Sequence, residues 1–219
     1  MIKYIVKSLT LLALSGCFMI EEHLELPTIN IKKSCKNRAH TNLGLSDFIS
    51  SRFHRGSPVR LGIMPFSVPA NLSARNSELP GVGNKLAWSV RSHLLGKEEI
   101  PIVEVFNRPS LPGHKDEFFT GNFGAISLAR EAGYDLVMVG YLEPTRSLTN
   151  AILHTKVIEA EGGITVWFGE SEIVSREKML QSYEDSWFGR GEVPSSIFTN
   201  EVFDHLAKCA VEGILGEAG

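Results

Sequence analysis

A near-continuous apolar run from Asp135 to Leu142 constrains the fold of this chain most strongly. It reads DLVMVGYL, so apolar side chains occupy both odd and even positions of the segment. Successive side chains of a strand point to opposite faces, and such a run therefore predicts a strand that is buried on both sides. A strand of this kind is typical of a sheet that helices cover.

Other segments predict the partners of this strand. Two further strands are predicted over 59–66, where Leu61 and Ile63 share a face and Pro65 ends the pattern, and over 100–106. Gly162 and Gly163 predict a tight hairpin between two more strands, because glycine accepts the positive φ angles of such turns. These strands cover 151–159 and 164–174.

Three helices are predicted from apolar residues that recur at three- and four-residue steps. They cover 80–96, 125–132 and 198–215. Gly96 and Gly133 are expected to end the first two as C′ glycines. Right-handed crossovers make the first three strands parallel, and the hairpin adds antiparallel strands at one edge. The predicted fold class is a single α/β sandwich over residues 57–219, in which helices cover a mixed sheet.

The amino terminus has the pattern of an export signal. Lys3 and Lys7 supply positive charge, and the short apolar stretch from Ser8 to Leu14 follows. This stretch cannot cross about 30 Å of hydrocarbon as a helix, which needs about 20 residues. It has the length of a signal-peptide core, and residues 1–16 are predicted to be cleaved.

The residues Leu14-Ser15-Gly16-Cys17 resemble the lipobox of bacterial lipoproteins, in which an apolar residue, two small residues and a cysteine mark the cleavage point. The resemblance implies a lipid on Cys17 that anchors the protein to a membrane. An ordinary signal peptide with a coincidental cysteine is the alternative. In some Gram-negative bacteria Asp after this cysteine retains the protein in the inner membrane. Phe18 therefore implies the outer membrane, facing the periplasm, and the inner membrane stays open.

Residues 17–56 are predicted to be the lipidated cysteine and a tether, since they show no sustained apolar period. One short helix is predicted from Ser46 to Phe53, with Ser46 as its N-cap. The segment also holds a basic cluster. Its side chains are expected to be solvated as part of a linker, and contact with anionic lipid is the alternative. Its members are Lys32, Lys33, Lys36 and Arg38.

Cys35 and Cys209 are the cysteines that follow Cys17. In the oxidising compartment that an export signal implies, they can form one disulfide. The alternative is a free Cys35 in a loop and a buried Cys209 on the last helix. The sequence has no CxxC or HxxxH spacing, so neither a metal nor a cofactor is predicted.

Four segments of the predicted domain together resemble a known superfamily. They read RLGIMPF, RSHLLG, AREAGYDLVMVGYLEP and GGITVWFGE. They are similar to the α/β domain shared by the amino-terminal domain of TolB, the curli-secretion lipoprotein CsgG and periplasmic lipoproteins that activate peptidoglycan synthases. The resemblance covers about 59–215 and implies a role in secretion, envelope integrity or regulation of wall synthesis. The matched positions are Leu61 to Phe66, Ala129, Gly133, Asp135, Gly140, Gly163 and Trp167.

Two departures from these relatives matter. TolB continues into a β-propeller, for which this sequence has no repeat. CsgG forms its pore from long amphipathic hairpins, whose strands need about ten alternating residues. Here 143–150 is short, and 175–194 carries charges without that alternation. A subunit of an oligomeric export pore or ring therefore stays an alternative function.

Trp187 and Phe188 are expected to contact a partner, because aromatic residues between charged and Gly-rich stretches often anchor interfaces. Rings that cap the sheet core are the alternative.

No phosphate-binding loop and no nucleophile elbow is present. The leading hypothesis is a non-catalytic, membrane-anchored periplasmic protein that binds an envelope protein or itself. An enzyme with an unrecognised site is a further alternative. The net charge of −3 gives no basic footprint for nucleic acid.

Overall fold

The computed structural model describes residues 35–41, 44–53, 57–69, 81–107, 115–143, 150–174 and 195–216. The strands are β1 (Cys35–Ala39), β2 (Arg60–Ile63), β3 (Ile102–Val105), β4 (Leu136–Leu142), β5 (Asn150–Glu159) and β6 (Thr165–Val174). The helices are α1 (Leu45–Arg52), α2 (Val82–Leu95), α3 (Lys115–Thr120), α4 (Phe123–Glu131) and α5 (Ser195–Ile214).

The six strands form one mixed sheet in the order β1-β6-β5-β4-β2-β3. β2 pairs in parallel with β3 and β4. β4, β5, β6 and β1 pair successively in antiparallel fashion. The predicted α/β class, with a parallel part and an antiparallel hairpin, is confirmed.

β4 is buried along its whole length, as its apolar run predicts. Its side chains divide by parity between two apolar layers, one on each face of the sheet. The first layer takes Leu136, Met138 and Leu142. The second takes Val137, Val139 and Tyr141. β4 thus forms the part of the sheet that helices cover on both sides.

The first apolar layer lies between the sheet and the helices α2 and α5. α2 contributes Leu86, Val90 and Leu94 at the spacing that predicted it. On α5, Val202, Phe203 and Leu206 pack into the same layer. Both helices were predicted, and the structure confirms them.

The second apolar layer is smaller, because the helices α3 and α4 are short. Phe118 of α3 and Ala125, Ile126 and Ala129 of α4 pack over β4 and the end of β5. Among the described helices, α3 and α4 do not extend over most of β6 and β1 on this side. We call the side of β1, β6 and β5 opposite α5 the open face.

Phe66, the last residue of the RLGIMPF segment, is fully buried between two glycines. A Cβ atom on Gly83 would lie 2.0 Å from the backbone oxygen of Phe66, and one on Gly140 would lie 2.8 Å from its ring. The backbone N–H of Phe66 also donates to the oxygen of Gly83 at 3.2 Å. The start of α2 therefore packs directly on the chain that leaves β2.

Three predictions about the helices, their ends and the tether need correction. The tether predicted over 17–56 contains β1 and α1, which belong to the folded domain because β1 pairs with β6. Ser46 lies inside α1, whose N-cap is Gly44, and its hydroxyl donates to Glu99. Gly96 was expected to end α2 in a left-handed conformation, but its backbone is right-handed, with φ −68°. The residue after α2 that adopts a left-handed conformation is Glu98.

Candidate functional site

Strand β1 and helix α5 are joined by a disulfide between Cys35 and Cys209. Asn37, two residues further along β1, points to the same side because side chains alternate along a strand. Its Nδ2 donates to the backbone oxygen of Cys209 at 2.9 Å, and its Oδ1 accepts from the Ser171 hydroxyl at 2.6 Å. β1 is therefore fixed to the core covalently and by buried polar contacts.

The open face carries charged side chains in cross-strand rows. Arg38 lies opposite Glu170 and contacts its carboxylate at 2.9 Å, and Lys36 lies opposite Glu172 at 4.0 Å. The side chains of Lys36 and Arg38 remain 73% exposed, whereas the two glutamates are mostly covered. Paired charges directly across an antiparallel sheet stabilise it modestly and leave the cations available to solvent.

His154 continues the Arg38–Glu170 row on β5. Its Nε2 lies 2.9 Å from Glu143 Oε1, and its Nδ1 lies 3.9 Å from Glu170 Oε2. Within the part of the chain that the structure describes, this buried Nδ1 has no hydrogen-bond partner. The imidazole thus lies between two carboxylates, of which one is in direct hydrogen-bond contact.

An aromatic cluster borders this row where α3 reaches the sheet. The Lys156 ammonium lies 4.8 Å from the Phe118 ring centre and 5.5 Å from that of Phe168, and it donates to the Phe118 oxygen at 2.7 Å. Burial lowers the pKa of Lys156. Phe119 and Phe123, on either side of the α3–α4 junction, are 49% and 80% exposed. This end of the open face therefore offers the Phe119 ring to solvent, and Phe123 is exposed on the adjoining helix.

Ser89, His93 and Asp204 meet between α2 and α5, and their residue types resemble a catalytic triad. Ser89 Oγ and His93 Nε2 both contact the same atom, Asp204 Oδ1, the latter at 3.0 Å. A triad needs the histidine between the nucleophile and the acid, so that it can take the hydroxyl proton. This arrangement links two helices and does not activate the serine.

In the sequence, acids occupy alternate positions at Glu159 with Glu161 and at Glu170 with Glu172, and this spacing predicts a solvated stripe on each strand. Glu170 and Glu172 do share one face, but both side chains are mostly covered and pair with Arg38 and Lys36. Glu159 is instead 4% exposed, and its carboxylate accepts from Arg52 and from the Gly162 backbone. The prediction for Glu159 is wrong, because Arg52 of α1, a helix that the sequence assigned to the tether, pairs with this carboxylate.

The predicted site residues Cys17, Trp187 and Phe188 lie outside the described residues. Among the residues with assigned positions, no group of three or more His, Cys, Asp or Glu has an arrangement that would hold a metal ion. In the same residues, no helix has both the length and the apolar composition needed to cross a bilayer. The open face was not predicted, since β1 has no apolar alternation that marks it as a strand.

Comparisons with known proteins find similar solved structures. No protein-family model and no curated protein matches the chain. PelC, a dodecamer from Paraburkholderia phytofirmans, is 13% identical with a TM-score of 0.47, over 83% of this chain and 96% of that one. The lipoprotein GNA1162 from Neisseria meningitidis is 14% identical with a TM-score of 0.34, over 59% and 99%. TolB from Acinetobacter baumannii is 9% identical with a TM-score of 0.37, over 83% and 31%. These values are too low to assign a family or a function.

Proposed function

We propose that this chain is a lipid-anchored protein of the bacterial envelope that acts by binding another protein and not by catalysis. The observation that carries the proposal is the leader that ends in Leu14-Ser15-Gly16-Cys17. The Cys35–Cys209 disulfide supports it independently, because disulfides persist in oxidising compartments outside the cytoplasm. Phe18 after the cysteine supports the outer membrane as the destination.

Binding is favoured over catalysis by what the open face presents. Exposed cations at Lys36 and Arg38 lie on one end of this face, and the centre of the exposed Phe119 ring lies 6.2 Å from that of His154 on β5; Phe123, also exposed, begins the next helix. Aromatic and arginine side chains are the groups that anchor protein interfaces most often. The one triad-like cluster described above lacks the order that nucleophilic catalysis needs.

Metabolic labelling with a fatty acid tests the anchor. We expect label on the wild-type chain and none on Cys17→Ser, because the lipid requires that thiol. Cys35→Ser is the matched control and should keep the label. Equal labelling of wild type and Cys17→Ser would contradict lipidation. In membrane fractionation, Phe18→Asp should move the protein toward the inner membrane if the sorting rule operates.

Photo-crosslinking in intact cells tests the binding surface. A photoreactive residue at Phe123 should give a discrete crosslinked species, whereas one at the exposed Ser92 of α2, on the other side of the sheet, should not. Trp187→Ala with unchanged thermal stability and lost crosslinks would assign that residue to the interface, and a large fall in melting temperature would assign it to the core.

An oligomeric pore or ring is the second candidate function. The observation that favours it is the exposure of Phe123, since exposed aromatic side chains also mark contacts between subunits. The native mass of the detergent-solubilised chain separates the two functions. A single large species with self-crosslinks from Phe123 would support a ring, and a monomer with crosslinks to a different protein would support partner binding.

A further inference from the structure

The outer edge of β1 has a defined pattern of backbone groups that point away from β6. β1 is the first strand of the sheet and, among the described strands, pairs with β6 alone. The N–H of His40 donates to the Phe168 oxygen at 2.8 Å, in register with the β1–β6 pairs. Backbone groups alternate along an antiparallel strand, so Lys36 and Arg38 also bond β6. Cys35, Asn37 and Ala39 therefore direct their N–H and C=O groups outward.

The charged side chains beside this edge are two cations, Lys36 and Arg38. Lys36, Arg38 and His40 alternate along the strand and all lie on the open face. Their side chains are 73%, 73% and 38% exposed, although each has a glutamate partner on β6. A strand that joined this edge would place its own side chains directly beside these three.

A second copy of the chain is a poor occupant of the edge. Sheet extension pairs side chains of the same face, so two β1 strands would place Lys36, Arg38 and His40 of one copy beside the same basic residues of the other. This holds for antiparallel pairing in the registers that align the two β1 strands, because Lys36, Arg38 and His40 occupy successive positions on that face. Like charges directly opposite one another are destabilising, and edge cations are a known protection against self-pairing.

We propose that the outer edge of β1 binds an extended acidic segment of a partner protein, which adds a strand to the sheet. The partner's backbone would bond Asn37 and Ala39, and carboxylates at alternate positions would lie beside Lys36 and Arg38. The disulfide and the Asn37 contacts hold β1 in place before binding, which reduces the ordering cost. The inference deepens the proposed function, on which it rests for the nature of the partner.

Hydrogen exchange resolved to single amides tests the edge directly. The probe is a short peptide that alternates Glu with Thr, added to the full chain with Cys17→Ser in detergent, so that lipidation plays no part. In the free protein the amides of Asn37 and Ala39 should exchange fast, and those of Arg38 and His40 slowly. The acidic peptide should slow Asn37 and Ala39 and leave Arg38 and His40 unchanged.

Charge variants test the recognition. Lys36→Gln combined with Arg38→Gln should weaken peptide binding about tenfold, since two cross-strand charge pairs are lost. Lys85→Gln combined with Lys208→Gln removes two exposed cations from α2 and α5 and should leave binding unchanged. Slow exchange of the backbone amides at positions 38 and 40 would show that β1 stays paired with β6 in the Lys36→Gln, Arg38→Gln variant. Raising the salt from about 0.1 M to about 1 M should also weaken binding.

Three results would overturn the proposal. Slow exchange of Asn37 and Ala39 in the free protein would mean that the edge is already covered. A peptide with Lys in place of Glu that protects these amides equally well would mean that charge does not select the occupant. An acidic peptide that binds without protecting either amide would place its site elsewhere. Failure of fatty-acid labelling would contradict the anchor and leave this inference standing.

Discussion

Removing the Cys35–Cys209 disulfide should lower the free energy of unfolding substantially. The cross-link joins residues separated by 174 positions, so it restricts almost the whole folded domain in the unfolded state. The chain-entropy relation gives about 5 kcal/mol for a loop of this length at 25 °C, at the upper end of the measured range. Total stabilities of domains are about 5–15 kcal/mol. We therefore expect the reduced protein to retain only a fraction of its stability.

The assay is urea denaturation of the full chain with Cys17→Ser in oxidised form, compared with Cys35→Ala, Cys209→Ala and the double variant. Either single substitution opens the loop, so the double variant should cost little more than either one. Two independent side-chain contributions would instead add. Cys209 is only 1% exposed, and its substitution should cost slightly more than that of the partly exposed Cys35.

A reducing agent provides the matched control. It should shift the denaturation midpoint of the parent protein to that of the double variant and leave the double variant unchanged. Thiol titration confirms that the cross-link is open under each condition. If the fully reduced parent protein has the same denaturation midpoint as the oxidised parent protein, the loop-entropy argument fails for this chain.

Three further predictions concern the core and the helix contacts. Leu206→Ala should lower the free energy of unfolding by about 2–5 kcal/mol, since Leu206 is fully buried. The denaturation midpoint should shift equally at two protein concentrations, and a concentration-dependent shift would indicate a subunit contact. Gly83→Ala should lower the free energy of unfolding by about 1–3 kcal/mol or more, because the new methyl group would overlap the Phe66 backbone. The same denaturation assay measures this loss, and an unchanged midpoint would refute it. Burial acts to raise the pKa of Asp204, but hydrogen bonds and charges from Ser89 and His93 outweigh it and lower the pKa. Asp204→Asn should therefore lose less than about 1 kcal/mol at pH 7, and this difference from wild type should vanish as the pH falls through the lowered pKa.

The core of the fold was predictable because its signals are local. The parity of β4 and the four-residue steps of α2 and α5 are properties of short segments, and burial of those same side chains follows from them. The hairpin was also predictable, since Gly163 does adopt a positive φ of 71°. Each of these elements can be recognised without knowing its partners.

β1 was missed because its strand state depends on distant residues. Its five residues read CKNRA, which has no apolar alternation, and its ends lack a turn signal. It becomes a strand through pairing with Glu170 and Glu172, through the bond from Asn37 to Cys209, and through the disulfide. All these partners lie more than 130 residues later, where sequence periodicity gives no information about pairing.

The basic residues of β1 show that their alternate spacing carries information that their number alone does not. As members of a cluster, Lys36 and Arg38 were interpreted as part of a solvated linker. Their spacing of two residues has no meaning in a linker, but in β1 it places both cations on one face and leaves Asn37 to face the core. The same alternation directs the backbone of Asn37 to the free edge.

β1 is the first element along the described part of the chain, and its first residue carries the disulfide. A pulling force that reached Cys35 from the amino-terminal side, as a lipid on Cys17 could transmit it, would act on the β1–β6 hydrogen bonds if no cross-link were present. The disulfide directs that load to α5, whose apolar stripe is buried in the core. The edge that we propose as a binding site would thereby keep its geometry while the chain is held at the membrane.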